Sequence, residues 1–300
     1  MTTSVLTVVG TVAFDTLAHV KGLASPEQTG GVTSLQPDTP GGTAGNVAMA
    51  LARLDARPRL VSAVGPDFAG SAYANALADA GVDIRGLVVG SSPTSRAYVF
   101  YDDDGGQVTY FYAGASAELA ARAGAISGGR AHFCAGEIAH FPSLMQMADW
   151  VSFDPGQEIF HRDFTQIVAC LPHVDLVFAN HNELALFEDR GWPLRRLFDQ
   201  GVEGVVESLG SGGTLVHTPE GRFAAPPPAV RARDPTGAGD AHRAGYLYAL
   251  DRGADAGVAA RFANVLGSFV VEHIGAQAGQ PTLAQAIERY QKTYGAAPFA

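Results

Sequence analysis

Apolar positions along the chain come in two rhythms. Short, nearly continuous β-rich runs occur at SVLTVVG (4–10), RLVSAV (59–64), Ile84 to Val89, Asp149 to Phe153, Leu176 to Ala179 and Gly204 to Leu209. Between the early ones lie Ala- and Leu-rich stretches with helical spacing, NVAMALARL (46–54) and FAGSAYANALADAG (68–81). Continuous apolar runs suit strands covered on both faces, and their alternation with helices predicts βαβ units. The expected fold is α/β: a doubly wound, mainly parallel sheet flanked by helices. Two later helices are expected at about Ala238 to Leu250 and Ala254 to Glu272.

Two stretches break this rhythm. Residues 17–40 carry a GG turn and scattered prolines, while 95–112, SRAYVFYDDDGGQVTYFY, alternate aromatic and polar positions around DDDGG, a hairpin signal. Strands with one wet face alternate in this way, so these segments predict a small antiparallel β lid inserted at about 17–40 and 95–112 into a single domain spanning 1–300. There is no internal repeat or coiled-coil heptad.

Composition narrows the class. The 300 residues, 47% of them hydrophobic, can bury a substantial core, and a formal charge of -10 argues against a general nucleic-acid or anionic-membrane surface. No uncharged apolar run reaches the roughly 18–20 residues of a membrane helix, and the first residues lack a basic leader region, so a soluble cytoplasmic protein is expected. Cys134 and Cys170 lie outside any CxxC or zinc-ligand spacing and read as buried thiols of a reducing compartment.

The chemistry concentrates in DPTGAGDAHRAGYLYAL (234–250). A helix starting at Ala238 or Gly239 presents unpaired amides and partial positive charge, and glycines there allow close approach of an anion. Asp240 has two readings from spacing alone, a first-turn carboxylate that stabilises the helix or a catalytic acid–base group. The only lysines, Lys21 and Lys292, lie outside any GxxxxGK[ST] loop, and neither a GxGxxG dinucleotide fingerprint nor a GxSxG elbow is present. A nucleotide enzyme built on this chain needs another phosphate cradle. His132, Glu137 and His140 in HFCAGEIAH offer a metal alternative, but the spacing is not HExxH and the glycine opposes a shared helical face.

Five segments in order, GGTAGN (41–46) with VSAVGPDFAG (61–70), NHNE (180–183), SLGSGG (208–213), DPTGAGDAHRAG (234–245), and Asn264 with GAQAGQP (275–281), resemble the ribokinase-like (PfkB) family of small-molecule kinases over nearly the whole chain. The resemblance implies ATP as phosphate donor, with Asp240 as base and the amides of Gly237, Ala238 and Gly239 receiving charge from the transferring group. It places Asn180, Ser208, Gly210, Gly213 and Asn264 around ATP and gives Glu183 the water shell of Mg²⁺; a capping pair opening a helix is the alternative reading of NHNE. A monovalent cation, K⁺, stays open as a further cofactor.

On the acceptor side, similarity assigns Asp15, Gly42 and Asn46 to a ribose diol. Many sugar kinases of the family carry Asn two positions before that Asp, whereas Ala13 stands here, closer to the adenosine kinase pattern. FDPGQE (153–158) points the same way, placing Gln157 at the base. In YFYAGAS, Phe111 is the expected stacking partner, with Tyr110 and Tyr112 on the opposite face; lid or dimer packing is the other explanation for these aromatics. His161 replaces an arginine of that branch, with Arg162 beside it as a substitute, and His242 replaces an aromatic. The expected activity is phosphoryl transfer to the 5′-hydroxyl of a nucleoside, adenosine first. A sugar kinase and a non-catalytic ligand-binding relative are the alternatives. Expected partners are a small nucleoside or sugar, no nucleic acid, no membrane, and a second copy through the lid.

Overall fold

The computed structural model describes residues 6–121, 126 and 128–299. Strands β1 (Thr7–Val9), β2 (Ala13–Val20) and β3 (Val32–Gly41) precede helix α1 (Thr43–Arg53); β4 (Arg59–Val64) and α2 (Ala72–Asp79) lead to β5 (Leu87–Val89), β6 (Ser95–Tyr101) and β7 (Gln107–Tyr112). Next come β8 (Arg130–Phe133), α3 (Phe141–Met145), β9 (Trp150–Phe153), α4 (Glu158–His161), α5 (Phe164–Cys170), β10 (Leu176–Asn180), α6 (His181–Asp189) and α7 (Leu194–Phe198). The chain finishes with β11 (Gly204–Ser208), β12 (Thr214–Thr218), β13 (Gly221–Ala225), α8 (Ala238–Asp251), α9 (Ala256–Val270) and α10 (Leu283–Tyr294).

Nine strands form the main sheet in the order β13-β12-β11-β10-β9-β8-β1-β4-β5. From β5 to β11 every neighbouring pair is parallel, and β12 and β13 add an antiparallel edge. Both faces are covered, which is why the strand segments read as continuous apolar runs. Val8, Leu60, Phe178 and Val206 pack with α1, α2, α8, α9 and α10 on one side; their neighbours Val9, Val61, Val177 and Val205 pack with α3, α5, α6 and α7 on the other. From central β1 the chain builds first toward β4 and β5, then toward β8 to β11. That reversal opens a crevice beyond the carboxyl ends of the strands.

The lid is a separate four-stranded sheet, β3-β2-β6-β7. Its DDDGG hairpin forms as expected: Asp102 Oδ1 accepts from the amides of Asp104 (3.1 Å) and Gly106 (2.7 Å), and Gly105 supplies the left-handed φ of 84°. The expected all-antiparallel lid needs correction, because β2 and β6 pair in parallel. Each follows a main-sheet strand, β1 and β5, and leaves the sheet at the same edge, so they run outward in the same direction. The lid also begins earlier than residue 17, at Ala13, which puts Asp15 on a lid strand. Two strand expectations shorten. Ser4 and Val5 of the first run lie outside the described residues, and Ile84–Gly86 forms a 3-10 turn, with Asp83 accepting from the Arg85 amide, before a strand over Leu87–Val89.

Cys134 and Cys170 are both buried and unbridged. Among the described residues no helix is long and apolar enough to cross a membrane.

Candidate active site

The crevice gathers residues from the lid, α1, α8 and the ends of β9 and β10. Three glycines of GGTAGN each have a local reason to be there. A Cβ on Gly41 would overlap the Asp15 carboxylate, one on Gly45 would overlap the Tyr73 hydroxyl, and one on Gly42, which adopts φ 82°, would collide with the Thr11 carbonyl and the Ala13 amide. The missing side chains let the Asp15 carboxylate lie flat against the turn into α1. Asn46, in the first turns of α1, donates from Nδ2 to Asp240 Oδ2 at 2.8 Å. Its orientation is fixed from behind, since Gln277 Nε2 donates to Asn46 Oδ1 (2.8 Å) and to the Tyr73 hydroxyl (2.9 Å). Tyr73 in turn donates to the Gly41 carbonyl at 3.0 Å.

Asp240 and Asp15 therefore share one enclosure. Burial, reinforced by the charge of Asp240, pushes Asp15 up to about 7. Burial also raises Asp240 to about 6; Arg243 and the Asn46 hydrogen bond pull it down, and Asp154 pushes it up. Two carboxylates raised by burial, one of them also by the charge of the other, are the kind of pair found where proton transfer is needed.

Helix α8 opens at Gly237, which takes a left-handed φ of 77° and packs so closely on Ala276 that a side chain would collide there. Asp240 lies in the first turn, yet its hydrogen bond goes across to α1 rather than to a cap position. The gap left by Gly239 is occupied by the guanidinium of Arg243. That guanidinium pairs through Nε with Asp154, and its Nη1 stands 4.0 Å from Asp240 Oδ1.

At the ends of β10 and β11, Asn180 and Ser208 are register partners. They line a cavity of about 370 Å³ together with His181, Asn182, Leu209 and Gly210. Asn180 and Glu183 form a complete capping box for α6: Asn180 Oδ1 accepts from the Glu183 amide (3.0 Å) and Glu183 Oε2 accepts from the Asn180 amide (2.7 Å). Burial, with Asp154 adding and Arg243 opposing, pushes Glu183 up to about 7. Gly210 and Gly213 both sit at positive φ, 56° and 86°, shaping the turn into β12.

Asn264 stands behind this cavity, and the protein holds both ends of its amide. Its Oδ1 accepts from the Thr214 hydroxyl (2.7 Å) and its Nδ2 donates to the Ala225 carbonyl (2.9 Å). Because the single Thr214 proton is committed to Asn264, the 2.7 Å contact from His242 must be an Nε2–H donor. Burial holds His242 down at about 3, so it is neutral. His242 is thus tied to Thr214 and, through it, to Asn264.

The lid contributes Asp15 and a row of strand neighbours. Thr39, Asp15, Ala97 and Phe111 are register partners in one cross-strand row, so Phe111, 50% exposed, shares the face of Asp15. Tyr98 with Tyr110, and Arg96 with Tyr112, fall on the opposite face. Gln157 is exposed just before α4. The expectation that Arg162 substitutes for an arginine at His161 is corrected: its guanidinium is spent on Glu158 (2.8 Å) and Glu137 (3.0 and 3.2 Å). His132 is buried in β8 against Ser152 (2.9 Å) and Glu137 faces Arg162, so these two of the HFCAGEIAH trio have other partners. Asp154, Glu183 and Asp240 instead converge on the charge of Arg243.

Four contributors escaped the sequence reading: Arg243, Asp154, Gln277 and Tyr73. Each except Tyr73 lies inside a quoted motif. Arg243, three positions after Asp240, carried a usable signal, since helical neighbours at that spacing meet.

A family profile described as pfkB family carbohydrate kinase matches residues 5–141 and 144–283. A nucleoside kinase of Methanothermobacter thermautotrophicus is 34% identical over 305 aligned residues, covering 98% of this chain and 97% of the relative. An ATP-dependent ribose-1-phosphate kinase of Halopiger xanaduensis is 32% identical, covering 89% and 92%. Among solved structures, the Methanocaldococcus jannaschii nucleoside kinase, an archaeal member of the ribokinase family, superposes with a TM-score of 0.87 at 27% identity, covering 96% of this chain and 98% of that one.

Proposed function

Because this chain belongs to the pfkB family of carbohydrate kinases, we propose that it transfers the γ-phosphoryl group of ATP to the 5′-hydroxyl of a nucleoside, adenosine foremost, with Asp240 as the base. The observation that carries this reading is that Asp240, in the first turn of α8, is held by Asn46 of α1 in a buried site close enough for its charge to raise Asp15. Asp15 accepts from the ribose diol, one carboxylate serving two hydroxyls, with Gly42 and Asn46 fixing the approach. Asp240 takes the proton of the primary hydroxyl as that oxygen attacks phosphorus. The amides of Gly237, Ala238 and Gly239 donate to the oxygens on which negative charge accumulates, and their helix supplies a field of the right sign. Phe111 offers its ring to the base from the Asp15 face of the lid, and Gln157 offers an amide at its edge.

Asn180, Ser208 and Gly210 line the space for the nucleotide; Gly213 shapes it, and Asn264 braces it from behind. Mg²⁺ fits the donor set at this end of the crevice: Glu183 is a buried hard-oxygen donor raised by burial and by Asp154, and it would hold the ion through water. Bound there, the ion would neutralise polyphosphate charge. The same reading has one cytoplasmic domain with its lid inserted in two pieces, working as a homodimer through the lid.

A sugar kinase of the ribokinase or fructokinase type is the second reading, favoured by the relative named for ribose 1-phosphate. The two separate in a panel assay with ATP against adenosine, guanosine, inosine, cytidine, ribose and fructose. A nucleoside should be preferred, and Asp240→Asn should lower turnover by about 10²–10⁴-fold, the usual worth of a positioned base. Wild-type turnover in that variant would remove Asp240 from the mechanism, and transfer to none of the panel would leave a ligand-binding role.

A further inference from the structure

Arg243 is one turn along α8 from Asp240, and helix geometry carries a side chain at that position back toward the amino-terminal turn. It occupies the volume a Gly239 side chain would need, so the last residue of Gly237–Gly239 gives its space to a guanidinium. The Nε edge is held by Asp154, which is 1% exposed at the end of β9 and whose Oδ1 also accepts from the Gly156 amide at 2.9 Å. The opposite end, Nη1, stands 4.0 Å from Asp240 Oδ1, and the side chain keeps 11% of its surface open to the crevice. A cation is thus paired from behind with a buried carboxylate, while its Nη1 stands beside Asp240 and against Gly239 in the first turn of α8.

A plain tie between α8 and β9 does not call for this arrangement, because an apolar pair would serve as well or better than a buried ion pair. The charges also do not balance around it. Asp154, Glu183 and Asp240 all act on this one guanidinium, and burial raises each of the three carboxylates. A fork of donors held rigidly at a helix amino terminus matches the planar, three-oxygen face of a phosphoryl group in flight.

We propose that Arg243 touches the transferring phosphoryl group, completing the anion cradle begun by the amides of Gly237, Ala238 and Gly239, and that Asp154 aims it. This rests on the kinase reading above. In the step it serves, the bond from the γ-phosphorus to the bridging oxygen breaks and ADP leaves with that electron pair. The bond from phosphorus to the acceptor oxygen forms, and the acceptor proton passes to Asp240. Arg243 keeps its proton throughout and acts by charge and by hydrogen bonding to the phosphoryl oxygens.

The test compares binding of adenylyl imidodiphosphate, a non-transferable triphosphate, with binding of ADP by calorimetry in the presence of Mg²⁺. Arg243→Gln should weaken the triphosphate analogue tenfold or more while leaving ADP within about twofold, and should lower kcat by about 10²–10³-fold. Arg243→Lys keeps a charge but loses the fork; it should lower kcat at least tenfold with ADP affinity unchanged. Asp154→Asn should lower kcat in the same direction by freeing the guanidinium from its tether. Should Arg243→Gln not fold, wild-type kcat in Arg243→Lys is sufficient to overturn the proposal. Equal weakening of both nucleotides, or of neither, in a wild-type-active kinase overturns it and leaves the kinase reading standing. A wild type that phosphorylates nothing and binds neither nucleotide overturns both.

Discussion

Replacing Asp15 by Asn should make the protein more stable and a poorer enzyme, with the stability gain visible only at neutral and alkaline pH. The folded state raises Asp15 from 3.8 to about 7, through burial first and the facing Asp240 second. A carboxyl raised on folding favours the native state fully below its unfolded value, and this contribution is lost as pH climbs through the folded value. The wild type therefore loses stability between about pH 4 and pH 7 and levels off above. Each unit of difference is worth about 1.4 kcal/mol, and with the cleft still reached by water the effect of this group is roughly 2–4 kcal/mol. Asn has nearly the same shape, so it can lie against Gly41 as the carboxylate does, without the charge. For a chain of 300 residues a gain of that size corresponds to an increase in Tm of roughly 3–6 °C. Differential scanning calorimetry at pH 4 and pH 8 reads it directly: the variant should match the wild type at the lower pH and exceed it at the higher. A gain of the same size at both, or a loss at pH 8, would refute the claim that the two carboxylates oppose each other in one enclosure. The accompanying loss of acceptor affinity would show the stability–function exchange typical of binding sites.

Phe111→Ala should raise the acceptor KM about tenfold, consistent with roughly 1–3 kcal/mol of stacking, while leaving the KM of ATP unchanged. Steady-state kinetics varying each substrate in turn checks this, and equal effects on both would remove Phe111 from the base site. The lid face opposite Asp15 carries Tyr98 beside Tyr110 and, one row on, Leu35, Phe100 and Val108, with Tyr110 65% and Leu35 58% exposed. Such a sheet face calls for a cover, and a second copy should supply it. Light scattering on a sizing column should give a dimer for the wild type and a monomer for Tyr110→Asp, and a monomeric wild type would refute the assignment.

What the sequence makes legible here is whatever is decided locally. Uninterrupted apolar runs announce strands covered on both faces, and the side chains of Val8 and Val9 do enter opposite cores. DDDGG announces a hairpin because Asp102 can accept from its own turn and Gly105 can adopt a positive φ. The misread features are decided at a distance. The parallel pairing of β2 with β6 follows from where two remote segments leave the main sheet, which no alternation pattern records. Arg162 reads as available until the fold brings Glu137 to it. The motif around α8 shows the same division within a few residues. Local spacing leaves Asp240 two roles, helix-terminal carboxylate or acid–base group, because both need the same residue in the same turn. The fold separates them through a partner on another helix: Asn46 takes one oxygen of Asp240, and Gln277 fixes which way that amide faces. A carboxylate needed only to close a helix end would have no use for an oriented donor from α1, so the tertiary bond, and not the motif, favours proton transfer.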